Sequence, residues 1–462
     1  MSRRRLRTRP PLSDEFDAIR AEVGIVEPFP AEALEEARGT TPRGDRLDAT
    51  DVPFVTIDPP GSRDLDQALH LERRAGGYRV RYAIADLAAF VVPGGALDRA
   101  VWERGVTYYA PDRATPLHPP ELSEGAASLL PDVERPAVLW DFELDADGAL
   151  RTTRVARARV RSRAKLDYAG VQQALDAGTA GEVLELLAEV GPLRLAIERE
   201  RGGVSLDVPE QEVVPADDGT WALAFRAPLP VEAYNAQLSL LTGIAAADLV
   251  IAAGTGVLRT LPPADDAALA ALRRAASGLG VPWPEGMAYP DFIRSLDATQ
   301  PAHAALLQEA TSVLRGAGYT IFDGAPPADG RHHAIADEYA HVTAPLRRLA
   351  DRYATECALA AAAGERPPAW ALERLEALPE AMRAADRRAS ALERAAVDLV
   401  EAAVLERRVG ESFDAVVVDE GRVALLDPAV RGRCDGDPPV GQRVRVRLTT
   451  ADVATRTVRF TI

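Results

Sequence analysis

Asp58, Asp64 and Asp66 fall within nine residues, directly after the apolar run Val52 to Ile57, in the stretch FVTIDPPGSRDLDQAL. A β-branched run of this kind reads as a buried strand. Pro59, Pro60 and Gly61 then turn the chain and bring Asp64 and Asp66 back toward Asp58. Carboxylates crowded at a strand end repel one another unless a cation joins them. A hard divalent ion such as Mg2+ takes carboxylate oxygens and leaves positions for water or phosphate oxygens. The same residues also read as a solvated acidic turn, and the local sequence leaves both readings open.

Other residues with chemical potential lie far along the chain. In YAHVTAPLRRLAD, Thr343 is placed to cap a helix whose first turn holds Pro345 and Arg347, and a helix N-terminus beside a guanidinium is an anion site. Tyr108 and Tyr109 read by themselves as core or loop-packing residues. His332, His333 and His341 lack the i, i+4 spacing of a helical zinc pair, and no cysteine lies close to them. Glu393, in ALERAA, is by itself an ordinary charged position on a helix.

Net charge is −16, which argues against coating nucleic acid through a general positive field and leaves room only for a local channel. The segment RTTRVARARVRSRAKL departs from that balance. Its arginines at 157, 159, 161 and 163 alternate with small or apolar residues, so they line one face of a strand, either as a solvated edge or as an RNA path. The two cysteines, Cys357 and Cys434, cannot build a disulfide framework or a four-thiolate zinc site, and a reducing cytoplasm follows. The basic N-terminus MSRRRLRTRPP lacks an apolar signal core and reads as a flexible arm. The apolar stretch Val231 to Gly254 is interrupted by Asn235, Gln237 and Asp248, which suits a helix buried in protein better than one in lipid.

The elements that must carry these residues form three zones. Residues 1–48 hold the basic arm and one or two short helices, suggested by DEFDAIRAEV and PAEALEEARG. Short strands with turns dominate from about 50 to 165, interrupted by the proline-rich loop APDRATPLHPPELSEG. Alanine-rich helical periodicity follows to about 405. Residues 409–462 revert to four or five short strands, as expected of a small OB-type barrel. The fold class is α+β, with an all-β barrel at the end.

Several blocks in this order resemble the ribonuclease II/ribonuclease R family of processive 3' to 5' exoribonucleases, whose catalytic part is the RNB domain. Thr56-Ile57-Asp58 followed by Asp64-Leu65-Asp66-Gln67 is similar to the family's opening motif, with Gln67 where a fourth aspartate is usual. The stretch from Ala83 to Ala137 resembles the second block. Tyr339 to Asp351 resembles Tyr-x-His-x-Thr-Ser-Pro-Ile-Arg-Arg-Tyr-x-Asp, with Ala344 for serine and Leu349 for tyrosine. The helix VEAYNAQLSLLTG keeps Asn235 but has Ser239 and Leu240 in place of paired glutamates.

The resemblance implies an RNB catalytic domain over 49–408 and an OB-fold RNA-binding domain over 409–462. The family usually carries two cold-shock barrels ahead of the catalytic domain; with only about fifty residues before the motif they are expected to be missing here, and RNA capture to rely on other surfaces. The expected activity is Mg2+-dependent hydrolysis of single-stranded RNA from its 3' end to 5'-nucleoside monophosphates, by a cytoplasmic monomer that does not enter membranes. Asp58, Asp64, Asp66 and Gln67 are then the Mg2+ ligands, with Asp66 and Arg347 catalytic. Arg347 grips the scissile phosphate, Tyr109 stacks on a base near the 3' end, and Glu393 binds ribose. The departures at Gln67, Ser239 and Ala344 sustain an alternative, a catalytically weakened protein of the same fold that holds RNA 3' ends.

Overall fold

The computed structural model describes residues 12–204, 210–215, 221–226, 228–297, 300–425, 428, 430–436 and 438–462. The expected flexible arm at 1–11 lies outside the described residues. The two short helices are present as α1 (Ser13–Glu22) and α2 (Ala31–Gly39). Phe16 and Ile19 of α1 and Ala33 and Ala37 of α2 join the main hydrophobic core.

Seven strands follow: β1 (Leu47–Asp58), β2 (Gln67–Arg74), β3 (Gly77–Ala85), β4 (Tyr108–Tyr109), β5 (Ala114–Thr115), β6 (Glu134–Asp145) and β7 (Leu150–Asp167). β1, β2, β3, β6 and β7 close into a barrel in that order, with β7 returning parallel to β1. Alternation fills its interior. Val80, Tyr82 and Ile84 of β3 stand opposite Phe142, Trp140 and Val138 of β6, and all six are buried. Each such side chain contributes about 1.5–3 kcal/mol relative to exposure.

Closure corrects the expectation of an edge strand for the arginine-rich segment, because β7 is paired on both sides. Its arginines are also matched within the protein. Arg157 bonds Asp86 and Glu356, Arg159 bonds Asp48, Arg161 bonds Glu134, and Arg163 donates to the Thr50 carbonyl. These contacts fasten the barrel wall, with carboxylates on Arg157, Arg159 and Arg161 and a backbone carbonyl on Arg163.

Helices α3 (Ala96–Arg104), α4 (Tyr168–Asp176), α5 (Glu182–Arg201) and α6 (Pro230–Ala253) surround this barrel, with the hairpin β8 (Glu210–Pro215) and β9 (Trp221–Arg226) between the last two. By length and composition α6 could cross a membrane. Its Asn235, Gln237, Leu238, Leu241 and Ala245 to Ala247 are nevertheless buried within the protein. At Gly243 a Cβ would lie 2.0 Å from the Tyr339 ring. The missing side chain lets the chain cross close enough for Ala340 N–H to donate to the Gly243 carbonyl at 3.0 Å.

Beyond α6 come β10 (Thr255–Thr260), α7 (Asp266–Gly278), α8 (Tyr289–Arg294), α9 (Pro301–Ala310), β11 (Gly318–Asp323), β12 (Arg331–His332) and β13 (Asp337–Glu338). Helices α7 to α9 gather a second, smaller core around Leu272, Phe292 and Leu306. Three more helices, α10 (Leu349–Ala363), α11 (Ala369–Leu375) and α12 (Leu378–Leu405), lead to the terminal strands.

Strands β14 (Ser412–Asp419), β15 (Arg422–Leu425), β16 (Arg431–Asp435), β17 (Arg443–Asp452) and β18 (Thr457–Thr461) form the expected barrel. They close in the order β14-β15-β16-β18-β17, with β16 and β18 parallel, the five-stranded Greek-key arrangement of an OB fold. Phe413 and Phe460 meet edge-on inside it. Gly432 leaves room for the Phe460 ring, which a Cβ would approach to 2.5 Å.

Candidate functional site

The three aspartates sit at the end of β1 and on the loop that leads to β2. Leu65, fully buried, anchors that loop between Asp64 and Asp66. Its N–H donates to Ser128 Oγ at 3.0 Å, its carbonyl accepts from Leu129 N–H at 3.0 Å, and Ser128 Oγ donates to the Arg63 carbonyl at 2.6 Å. Ala85 N–H ties down the Asp66 carbonyl at 2.9 Å. Lys165, from β7, caps the Pro60 and Ser62 carbonyls. The aspartate side chains are therefore presented by a backbone fastened on every side.

The segment carrying Arg347 departs from the expected helix start. Residues 345–347 form a turn, and α10 begins only at Leu349, with no side-chain cap. Thr343 caps nothing. The turn is shaped instead from inside by Asp351, fully buried, which accepts from Ala344 N–H at 2.6 Å and from Arg348 Nε and Nη2 at 2.9 Å each. His118 Nδ1 meets the Leu346 carbonyl at 3.0 Å. So held, the turn aims Leu346 N–H at Asp66 Oδ1, at 2.8 Å, and places Arg347 Nε 3.5 Å from Asp66 Oδ2.

The same turn positions Tyr109. Leu349 N–H donates to the Gly105 carbonyl and Thr107 N–H to the Arg347 carbonyl, at 2.9 and 3.0 Å. Two residues later β4 points its neighbouring tyrosines in opposite directions. Tyr108 is buried, donating to the Arg104 carbonyl and accepting from Arg388 of α12. Tyr109 is 57% exposed. Desolvation of its hydroxyl, with the negative charge of Asp64 beside it, pushes that phenol up to about 12. The ring is thus open to a ligand while its hydroxyl borders the acidic cluster.

Charge is expensive in this corner. Burial pushes the Asp66 carboxyl up to about 8, with Asp351 and Asp64 adding to the effect and Arg347 opposing it. Burial and then Asp64 push Asp58 up to about 6, against Lys165 and Arg347. Asp64 is raised by burial. Asp58 Oδ2 is buried with no hydrogen-bond partner among the described residues. An orphaned carboxylate oxygen beside two raised carboxyls is a donor set that suits a hard divalent cation. Among the described residues no three His, Cys, Asp or Glu side chains converge as a ready-made cage. The aspartates offer part of a shell, and water or phosphate oxygens must complete it.

Gln67 differs from the expected ligand. Its Nε2 donates to the Thr343 carbonyl at 2.7 Å, and its Oε1 accepts from Tyr82 at 2.5 Å and from Ser239 at 3.4 Å. Both ends of the amide are engaged in joining β2 to β3, α6 and the Arg347 turn. Ser239 therefore works with Gln67 as a neutral pair. Asn235, one turn earlier on α6, donates to the Tyr168 hydroxyl.

Glu393 is exposed on α12 and makes no hydrogen bond among the described residues. It lies five residues past Arg388, about 7.5 Å along the helix. The structure brings Asp58, Asp64, Asp66, Arg347 and Tyr109 together and leaves Glu393 outside their contacts. Ser128, His118 and Tyr82 escaped the sequence reading. Ser128 supports the site through two bonds to the aspartate loop's backbone, His118 through one to the Leu346 carbonyl, and Tyr82 through contacts with Gln67 and Ser239, and nothing in a serine, a histidine or a tyrosine signals that by itself.

Comparison with known proteins gives the family and the fold. The RNB domain family matches residues 46–361, and the RNase II-type exonuclease C-terminal S1 domain matches residues 411–462. Ribonuclease R of Escherichia coli (strain K12) is 28% identical over 431 residues, covering 85% of this chain and 50% of that protein. The chain spans about half the length of the curated relatives it matches first. Among solved structures, Mycoplasma genitalium RNase R in complex with ribose methylated single-stranded RNA superimposes with a TM-score of 0.87 at 18% identity, covering 97% of this chain and 77% of that one. Yeast Ssd1, described as a pseudonuclease, superimposes with a TM-score of 0.71 at 16% identity, covering 96% of this chain and 57% of that one.

Proposed function

This chain belongs to the RNB-domain family, and on that premise we propose that it is a 3' to 5' exoribonuclease, hydrolysing single-stranded RNA processively to 5'-nucleoside monophosphates in the cytoplasm, as a monomer. The observation that carries the reading is the bond from Leu346 N–H to Asp66 Oδ1. It joins the aspartate loop to the turn that holds both Arg347 and the Tyr109 segment, so carboxylates, guanidinium and an open aromatic ring face one place.

Asp58, Asp64 and Asp66 would hold Mg2+, which supplies Lewis-acid charge on the phosphoryl oxygens and lowers the pKa of a bound water. Arg347, 44% exposed, is free to leave its 3.5 Å approach to Asp66 and pair with the scissile phosphate. That contact positions the phosphorus and offsets charge that grows on the equatorial oxygens. Tyr109 stacks on a base near the 3' end, which any base satisfies. Water attacks phosphorus, the P–O3' bond breaks, and the terminal nucleotide leaves with its 5'-phosphate while the shortened strand keeps a 3'-hydroxyl. Glu393 is assigned to the 2'-hydroxyl of incoming ribose, and the terminal barrel to the backbone of the approaching strand.

The engaged amide of Gln67 favours a second reading, in which the site binds RNA 3' ends without cutting. A 5'-labelled RNA oligomer separates the two. A ladder of shortening products that needs Mg2+, stops with chelator and is lost in Asp66→Asn supports hydrolysis. Retention of RNA without shortening in the wild type supports the second reading. A Glu393→Ala variant that discriminates against DNA as strongly as the wild type removes the ribose assignment.

A further inference from the structure

The α1–α2 segment supplies no group to the site, yet it is bonded to the hairpin that carries Tyr109. Arg20 of α1 is 3% exposed. It donates to Asp17 at 2.8 Å, to Asp112, and to the Arg113 carbonyl at 3.2 Å. Arg113 reaches back to Glu27 at 2.6 Å and Asp17 at 2.7 Å, and Thr115 Oγ1 donates to the same Glu27 oxygen at 2.6 Å. Asp112 and Arg113 lie in the loop between β4 and β5, three and four residues past Tyr109. Arg104, which precedes β4, donates to the Val26 carbonyl and lies 3.7 Å from the centre of the Phe29 ring. At the other end of α1, Glu22 accepts from Arg456, between β17 and β18 of the terminal barrel, at 2.7 Å.

A ladder of two-residue strands cannot hold its own shape. β4 and β5 are such a pair, so Tyr109, held on its N-terminal side by the Arg347 turn and the Tyr108 contacts, depends also on what grips the loop beyond it. We propose that the segment Ser13–Gly39 is a clasp that fixes the β4–β5 hairpin, and with it the height of the Tyr109 ring above the aspartates, thereby setting the RNA length at which shortening stops. Arg20, Glu27 and Arg113 are its positioning residues. Its bond to Arg456 links the same hairpin to the terminal barrel, so strand entry and 3'-end stacking share one mechanical support. The inference rests on the exoribonuclease reading above.

The test uses the full chain with Arg113→Glu, a change at a half-exposed side chain, and the charge-swapped double variant Arg113→Glu with Glu27→Arg. On a 5'-labelled single-stranded RNA, the single variant is expected to shift its final product length. Its KM should rise about tenfold with kcat within about twofold, because a base contact and not the chemistry is disturbed. The double variant should recover product length and KM. Amide exchange over 108–115 should rise in the single variant and fall again in the double, at unchanged exchange in the barrel strands. A folded single variant with wild-type product length and KM overturns the clasp. A double variant as altered as the single one overturns the assignment of Glu27 and Arg113. A wild type that leaves RNA whole overturns the exoribonuclease reading and with it the length-setting role.

Discussion

Replacing Asp66 with asparagine should stabilise the cation-free protein while ending its activity. The folded carboxyl stands at about 8 against an ordinary 3.8, chiefly through burial. A carboxyl raised on folding contributes stability that is complete below pH 3.8 and is lost as pH rises toward 8. Across that window the unfolded chain is ionised and the folded site must stay protonated, so each pH unit removes about 1.4 kcal/mol. From 3.8 to pH 7 the loss is about 4 kcal/mol. Asparagine can still accept from Leu346 N–H through Oδ1 and carries no charge to desolvate. Its Nδ2 would face Arg347, but that side chain is 44% exposed and turns away at a cost of up to about 1 kcal/mol. A net gain of about 3 kcal/mol at pH 7 remains. Urea unfolding in EDTA at pH 5, 6, 7 and 8 measures it. The variant's advantage should grow from about 1 kcal/mol at pH 5, and Mg2+ should narrow it by binding the folded wild type. A variant that is no more stable at pH 8, or an advantage that ignores pH, refutes the argument that burial holds Asp66 protonated. The predicted gain would make the site one more example of function held against stability.

Tyr109→Ala should leave the unfolding midpoint unchanged, since the ring is 57% exposed, and should weaken RNA binding by about 1–3 kcal/mol; fluorescence anisotropy with a short oligomer checks it, and lost stability at unchanged affinity contradicts it. Asp351→Ala strands the Ala344 N–H and the Arg348 guanidinium, so urea unfolding should show a loss of about 3–5 kcal/mol; a loss below about 1 kcal/mol, the value of an exposed pair, would falsify the buried role. Burial lowers His118 to about 4 from 6.5. A histidine kept neutral in the fold weakens stability as pH falls through that window, by about 3 kcal/mol in all. His118→Gln should flatten the acid limb of the stability curve between pH 6.5 and 4, and an unaltered limb rules out its contribution.

Local sequence established a good deal. The alternation in β3 and β6 reports the barrel wall because a pleated strand exposes every second side chain to one face. The terminal strands, spaced by glycine and aspartate turns, announce a small barrel for the same reason. Asp58, Asp64 and Asp66 are legible because they lie close in the chain, where a proline turn brings them together whatever the rest does. Closure is another matter. Whether β7 is an edge or a seam depends on its pairing with β1, a contact across more than a hundred residues, and that pairing also sets Asp48 of β1 beside Arg159 of the stripe. The Arg347 turn shows the same limit. Thr343 has the chemistry of a cap, but the N–H it would accept from, that of Leu346 three residues on, donates to Asp66 Oδ1 instead, and the helix begins only at Leu349. Gln67 has the oxygen of a ligand, yet Tyr82, Ser239 and Thr343, from three other elements, engage its amide. Residue type and spacing thus determined which groups could act. Which of them remain available was decided by distant partners, because a buried polar group left unpaired costs about 1–3 kcal/mol and the folded chain uses whatever its packing brings within reach.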